Sequence, residues 1–468
     1  MTRRRPSSPI YYNASLAAAL IFFKIRPHSC AFISGGKEFQ SRSFRAASHI
    51  SISDAYDGGN IEHLHTTYHD DNKATVFLRI KPDPYTELEG KSHFQYFSFR
   101  STVSGAPQTV DYVIDNAGEA SYSMAWDEST TFYSSKLDDP DSWLRKTDTK
   151  YTRGKLSWSH HHIRDGLLYF CYFPPYSYTR HLNLIEKCYQ YANVQSLGQS
   201  LDGREMDCIQ VGSGERICWM IHRQHPGEHM AEYFAEGLLT RLLGFDSNGD
   251  VDGLVRKLLC MYTFYIVPNM CPDGAVRGHL RTNRIGANLN REWASKGSYE
   301  APTLQRSPEV YFVLGKMKQT GCDVFLDVHG DEGLPYNFLA QPGVDNWGPR
   351  LESLHGAFLA AYVRSNPDMQ QKFAYEPKKP SDVLNIASDQ IASRFDCLSL
   401  TLEMPFKDCW TNPNPEKGWS PARARNLGAS VLDPLYYIHP YLRAEGEFWT
   451  SLPSQDAYVV PTSKYQGK

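Results

Sequence analysis

His225 and Glu228 stand three residues apart in His225-Pro226-Gly227-Glu228, and that pairing is suited to metal chemistry. Imidazole nitrogen and carboxylate oxygen both suit zinc, and a catalytic zinc takes three protein ligands plus a water. A His-x-x-Glu also recurs by chance, so its weight depends on what the rest of the chain adds. His329, in Asp327-Val328-His329-Gly330, is the candidate third ligand. Glu403, beside a metal, can take a proton from an attacking water. A second cluster comprises Arg281-Thr282-Asn283-Arg284 and Asn288-Leu289-Asn290-Arg291-Glu292-Trp293. Arginine grips a carboxylate through two parallel hydrogen bonds and asparagine adds a neutral donor, so Asn290 and Arg291 suit a free carboxylate. Arg281 can face the oxyanion that forms when water attacks a carbonyl. Singly, each has a plainer explanation: a structural histidine, a surface carboxylate, a basic loop in salt bridges.

The elements expected to carry these residues alternate between strand and helix. Residues 209–211, 217–221, 261–267, 324–328 and 398–402 read as strands. Residues 182–192 and 229–243 read as helices, the second with Met230, Tyr233, Phe234, Leu238 and Leu242 at roughly helical spacing. This is an α/β pattern with a parallel or mixed sheet, and in such sheets ligands bind at the carboxyl ends of strands. His225 and Glu228 follow the strand at 217–221, His329 follows 324–328, and Glu403 follows 398–402. Four such residues at three strand ends are hard to explain as packing.

Ahead of this domain, residues 52 to 175 read differently. Short β-type runs at 75–80, 94–99, 110–114 and 168–173 are separated by turn residues, with no clear helix. A small antiparallel β-sandwich is expected there. Within it, His160-His161-His162 is expected to be an exposed strand end or turn, because neighbours on a strand point to opposite faces and do not converge on one ion.

Composition narrows the class. The chain has 468 residues, of which 41% are hydrophobic, enough for two or three domains. The 49 basic and 52 acidic residues nearly cancel, which argues against a nucleic-acid binder working through a global basic field. Ten scattered cysteines without Cys-x-x-Cys suit reduced thiols. No apolar run approaches the roughly 20 residues of a membrane span. Residues 1–48 are basic, serine-bearing and acid-poor, the text of an organelle transit peptide, with a signal-peptide core or a disordered tail as alternatives. The expected division is a leader at 1–48, a sandwich at 52–175, a catalytic domain at 176–450 and a tail at 451–468.

The order His225-x-x-Glu228, Asn290-Arg291, His329, Glu403 resembles the zinc metallocarboxypeptidases. The strings His225-Pro226-Gly227-Glu228, Gly278-His279-Leu280-Arg281-Thr282-Asn283, Asp327-Val328-His329-Gly330-Asp331-Glu332 and Thr401-Leu402-Glu403-Met404-Pro405-Phe406-Lys407 resemble the cytosolic carboxypeptidase subfamily, especially its bacterial-type members. The resemblance covers roughly residues 52 to 450, and that subfamily also carries a β-sandwich ahead of its catalytic domain. It implies one zinc ion on His225, Glu228 and His329, and a substrate C-terminal carboxylate on Asn290 and Arg291. It further implies Arg281 on the scissile carbonyl and Glu403 as general base, then proton donor. The family's Asn-Pro-Asp-Gly turn reads Cys271-Pro272-Asp273-Gly274 here, which keeps the turn chemistry.

The implied activity is hydrolysis of the C-terminal peptide bond of a peptide or protein, with acidic terminal residues suggested by deglutamylating relatives. Arg394 or Lys407 could supply the basic side chain such a pocket needs, although surface positions explain both equally well. Two alternatives use the same residues: a zinc amidohydrolase acting on a small amino-acid derivative in a closed pocket, and a catalytically idle binding protein. The resemblance implies a cytoplasmic location, and the leader, if a transit peptide, a mitochondrion or plastid.

Overall fold

The structure is a computed structural model, and it describes residues 49–105, 108–297, 299–444 and 446–447. The expected leader and tail lie outside the described residues. Ten strands come first: β1 (His49–Ser53), β2 (Glu62–Asp70), β3 (Lys73–Arg79), β4 (Ser98–Ser104), β5 (Gln108–Ile114), β6 (Thr131–Ser134), β7 (Leu144–Lys146), β8 (Lys150–Thr152), β9 (Lys155–His162) and β10 (Gly166–Cys171). They form two five-stranded sheets, in the orders β1-β4-β10-β6-β7 and β2-β3-β5-β9-β8. Inward-facing aromatics interdigitate between them, with Tyr112 and Phe170 ring centroids 4.7 Å apart and Trp158 and Phe170 at 5.6 Å.

Three local expectations for this sandwich need correction. First, β3 and β5 pair in parallel, because the chain leaves for β4 in the other sheet before returning. Second, the strand expected at 94–99 begins only at Ser98. Residues 94–97 are all buried, so their apolar text says nothing about where the ladder starts. Third, His160–His162 are the last three residues of β9, a strand end as expected, but only His161 is exposed there. His160 and His162 share the inward face, 4.7 Å apart, and burial pushes both imidazoles down to about 4. His161 points the other way, to Thr109.

The second part holds β11 (Asn193–Gln199), β12 (Glu205–Val211), β13 (Arg216–His222), β14 (Tyr262–Val267), β15 (Val324–Asp331), β16 (Phe338–Ala340) and β17 (Leu398–Pro405). Their order is β11-β12-β14-β13-β15-β17-β16, and the central pairs β14/β13, β13/β15 and β15/β17 are parallel. Around it lie α1 (Tyr178–Tyr189), α2 (His229–Leu243), α3 (Gly253–Met261), α4 (Pro272–Arg277), α5 (Pro308–Thr320), α6 (Pro349–Ser365), α7 (Ala387–Phe395), α8 (Pro421–Ser430) and α9 (Leu432–Ile438). Both faces of the sheet are covered. Cys218 and Met220 of β13 pack into the core with α2, α6 and α8, while Trp219 and Ile221 pack into the core with α5 and α7. That period of two explains why the strand reads as a continuous apolar run.

The first of those cores also takes in the sandwich, from Ile50 to Phe173. Phe406, just past β17, stacks on Tyr172 at 4.7 Å. The sandwich and the α/β layers therefore share apolar packing. Among the described residues, no helix is long and apolar enough to cross a membrane.

Candidate active site

The turn His225-Pro226-Gly227-Glu228 leads straight into α2, with Glu228 as the residue that caps it. Two features hold the turn. The guanidinium of Arg223, 1% exposed, donates to Pro226 O at 2.9 Å and to Glu232 of α2 at 2.6 Å. Gly227 N donates to Leu280 O at 3.0 Å, and a Cβ on Gly227 would stand 2.9 Å from that oxygen, so only glycine lets the two segments meet.

Behind this turn, His181 of α1 bridges two helices and a strand. Its Nδ1 lies 2.7 Å from Glu232 and its Nε2 3.1 Å from Asp207. Burial lowers its pKa, but the two carboxylates outweigh burial and raise it to about 9. Its folded-state pKa is above its ordinary value of 6.5, so its contribution is fully present below about pH 6.5 and is lost as pH rises through about 9. A rise of that size is worth on the order of 3 kcal/mol. Thermal melts of wild type and His181→Gln should differ most at the acidic end and converge near the alkaline end. A constant difference would refute the assignment.

The side chains of His225, Glu228 and His329 converge. Their candidate ligand atoms all lie within 4.8 Å of one another, and all three residues are buried. His225 Nδ1 is 2.7 Å from Glu228 Oε1, and His329 Nδ1 is 2.9 Å from Glu228 Oε2. The outer nitrogens are engaged elsewhere: His225 Nε2 with Asn288 Oδ1 at 3.2 Å, and His329 Nε2 with Asp327 Oδ2 at 2.8 Å. Engaged outer nitrogens fix ring orientation and leave the inner ones for an ion. Burial and the Arg281 charge push His225 down to about 3, so its imidazole is neutral and has a lone pair to give. Burial raises Glu228, but His225 and His329 outweigh it and hold the carboxyl well below its usual range. The donor set, two nitrogens and a carboxylate, fits zinc with a position left over.

Glu403 stands on β17 in register with His329 on β15. It is 8% exposed, and its Oε2 is buried with no hydrogen-bond partner among the described residues. Burial pushes its carboxyl well above the usual range, against the pull of His329. An unpartnered buried acceptor calls for an explanation, and a water or substrate proton supplies one.

One cavity of about 590 Å³ is lined by all seven residues picked out in the sequence: His225, Glu228, Arg281, Asn290, Arg291, His329 and Glu403. A larger groove of about 680 Å³ between β11 and α5 carries Lys316 and Lys318 but no carboxylate or histidine, so the chemistry resides in the smaller one. Asn290 Oδ1 accepts from the backbone of Ala387 at 2.9 Å, which ties the start of α7 to the site, and its Nδ2 lies 3.4 Å from His329 Nε2. Burial and the neighbouring Arg281 lower the pKa of Arg291.

Arg394 and Lys407, the two candidates for a specificity pocket, do not line the cavity. Arg394 is exposed on α7 and donates to Gln390. Lys407 is buried, but its Nζ donates to Asp127 O at 2.7 Å. The cavity instead holds Tyr375 and Lys378, from a stretch without regular structure before α7. The Tyr375 hydroxyl donates to Asp331. Nothing periodic in the sequence marks that stretch. Its Lys-Lys-Pro text at 378–380 was the one available signal of a basic loop.

The sandwich also reaches the cavity, through residues 121–125. Tyr122 Oη accepts a hydrogen bond from Arg281 Nη1 at 3.1 Å. Asp83 holds the backbone beneath Arg281, accepting from the amides of Leu280, Arg281 and Thr282 at 2.7, 2.8 and 2.9 Å.

Comparison with known proteins identifies the family of both parts of the chain. Residues 52–173 match the family model of the cytosolic carboxypeptidase N-terminal domain, and residues 177–407 match that of the zinc carboxypeptidases. A Zymomonas mobilis protein is 41% identical over 82% of this chain and 95% of its own length. A metallo-carboxypeptidase from Pseudomonas aeruginosa, solved in complex with (2-guanidinoethylmercapto)succinic acid, is 36% identical with a TM-score of 0.75, covering 84% of this chain and 100% of that one. Mouse cytosolic carboxypeptidase 6 is 26% identical over 37% of this chain and 34% of its own length.

Proposed function

This chain belongs to the zinc carboxypeptidase family, and from that premise we propose that it removes acidic residues from the C-termini of peptides or proteins, with one zinc ion on His225, Glu228 and His329. The observation that carries this is the single cavity into which the ligand triad, an unpartnered Glu403 and two arginines all open. When bound, zinc would lower the pKa of its water, polarise the scissile carbonyl and offset the burial that raises Glu403. Glu403 takes the proton of the attacking water and returns it to the leaving amine. Arg281 donates to the developing oxyanion. Arg291 grips the terminal carboxylate, with the amide of Asn290 beside it, and this restricts the enzyme to chain ends.

Lys378 supports the acidic preference, being a cation in the cavity wall that none of these steps uses. The rim suits a chain end better than a small closed substrate, since Met124 is 89% exposed and Tyr375 is 41% exposed there. The compound held by the Pseudomonas relative is a dicarboxylate that also carries a guanidine. Its two acids suit a pocket rich in cations, and a lysine-ended peptide tests whether the guanidine reports a basic preference instead.

The test is hydrolysis of peptides ending in Glu, Asp, Lys, Leu or Phe, with and without a chelator. Release of Glu and Asp should exceed that of Leu by roughly ten-fold, stop with the chelator and return with zinc. Lys378→Glu should transfer the preference to the lysine-ended peptide. A wild-type preference for Leu or Phe would sink the acidic specificity. No release from any peptide by zinc-loaded protein would sink the exopeptidase.

A further inference from the structure

The mechanism above uses only residues of the α/β part, yet the sandwich contributes a side chain of its own at the point where the oxyanion would form. The geometry points to Tyr122 as a further catalytic residue, its phenol hydroxyl donating to the scissile carbonyl oxygen beside the Arg281 guanidinium. This rests on the carboxypeptidase reading of the same cavity.

Three observations lead there. Tyr122 lines the cavity together with His225, Glu228 and Arg281. Its oxygen accepts from Arg281 Nη1 at 3.1 Å, and a phenol that accepts from a cation must aim its own hydrogen elsewhere. Among the described residues no acceptor for that hydrogen is present, so it is left for whatever enters the cavity. The phenol and the guanidinium line the same cavity, and the hydrogen bond between them keeps the two donors side by side.

The support around the pair is built for placement. Gln95, fully buried, clamps the backbone of Tyr122 from both sides: its Oε1 accepts from Tyr122 N at 2.8 Å and its Nε2 donates to Tyr122 O at 3.1 Å. Asp83, 4% exposed, takes three successive amides around Arg281 and the hydroxyl of Thr282 as well. Both clamps come from the sandwich, so the phenol and the guanidinium are referred to one rigid body. Donors fixed before charge develops need no reorganisation at the moment of reaction, and that is where they gain their advantage over water. Burial pushes the phenol up to about 12 against the pull of Arg281, which keeps it a donor at neutral pH.

The alternative roles are separable. A tyrosine that only props up the fold would change stability and leave turnover alone. One that grips the terminal carboxylate would raise KM and leave kcat alone. A donor to the oxyanion lowers kcat and weakens only ligands shaped like the tetrahedral state.

The experiment takes the full chain, zinc-loaded, as wild type, Tyr122→Phe and Glu403→Gln. It measures kcat and KM on a glutamate-ended peptide, and affinity for a phosphonate analogue of the same peptide at a temperature where each variant is folded. Tyr122→Phe should lower kcat by roughly ten- to a hundred-fold with KM within about two-fold, and weaken the phosphonate by the same factor. Unchanged kcat and unchanged phosphonate affinity would overturn the inference, as would a rise in KM alone. An inactive Glu403→Gln beside a fully active Tyr122→Phe would remove Tyr122 and leave the carboxypeptidase intact. No release of glutamate by the zinc-loaded wild type would instead remove the carboxypeptidase reading on which the inference stands.

Discussion

Replacing Glu403 by glutamine is expected to lower kcat by roughly a thousand- to ten-thousand-fold while the protein keeps its metal and its fold. Glutamine has the same shape and still accepts a hydrogen bond, but it neither takes a proton from water nor returns one to an amine. Little else should change. Glu403 is not one of the three converging donors, and its Oε2 satisfies no buried protein donor. Relieving a buried carboxylate that already lies well above its ordinary pKa should leave stability unchanged or raise it. The decisive measurements are turnover, zinc per chain by elemental analysis, and the melting temperature. Loss of zinc with loss of activity would mean that Glu403 is a ligand. Retained activity would mean that another group moves the proton.

Replacing Arg291 by alanine is the second large effect. Arg281 stands close enough to Arg291 to add to the burial that lowers its pKa, with Glu89 offsetting part of this. Two partly buried cations in one cavity form a site waiting for an anion. The substrate carboxylate satisfies it, and truncating one partner of such a buried pair costs about 2–5 kcal/mol, most of it in binding. For Arg291→Ala, kcat/KM on a peptide with a free C-terminus should fall roughly a hundred- to a thousand-fold, carried mainly by KM. An amidated peptide is expected to be a poor substrate for wild type and should be affected far less. Equal hydrolysis of acid- and amide-ended peptides by wild type would show that Arg291 does not set the preference for chain ends.

The part of the site that the sequence exposes is the part attached to regular structure. His225 follows β13, and His329 and Glu403 lie near the carboxyl ends of β15 and β17; a parallel sheet brings those ends to one edge, so their convergence follows from alternation. The helix after Glu228 runs over the same residues, 229–243, that its apolar spacing marks. Residues that reach the cavity across long sequence distances carry no such mark. Tyr375 and Lys378 come from a stretch without helical or strand period, and Tyr122 and Asp83 come from a different layer of the molecule. Arg394 and Lys407 show the converse. Their charge made them candidates, but α7 carries Arg394 out to solvent, and Asp127 O engages Lys407. The strand expected at 94–99 failed for a related reason. Gln95 and its neighbours are buried because they serve loops, and burial without pairing reads like a strand.

The ladder that sets His329 opposite Glu403 also bears on how such a protein can diverge. The separation between the ion's ligand and the proton carrier is fixed by backbone hydrogen bonds that any pair of side chains can make. It does not depend on which side chains flank the pair. In the proposed function, what selects the chain end is the stretch before α7 and the sandwich rim, which line the cavity outside the ladder. Lineages can retune what they cut without renegotiating how they cut it.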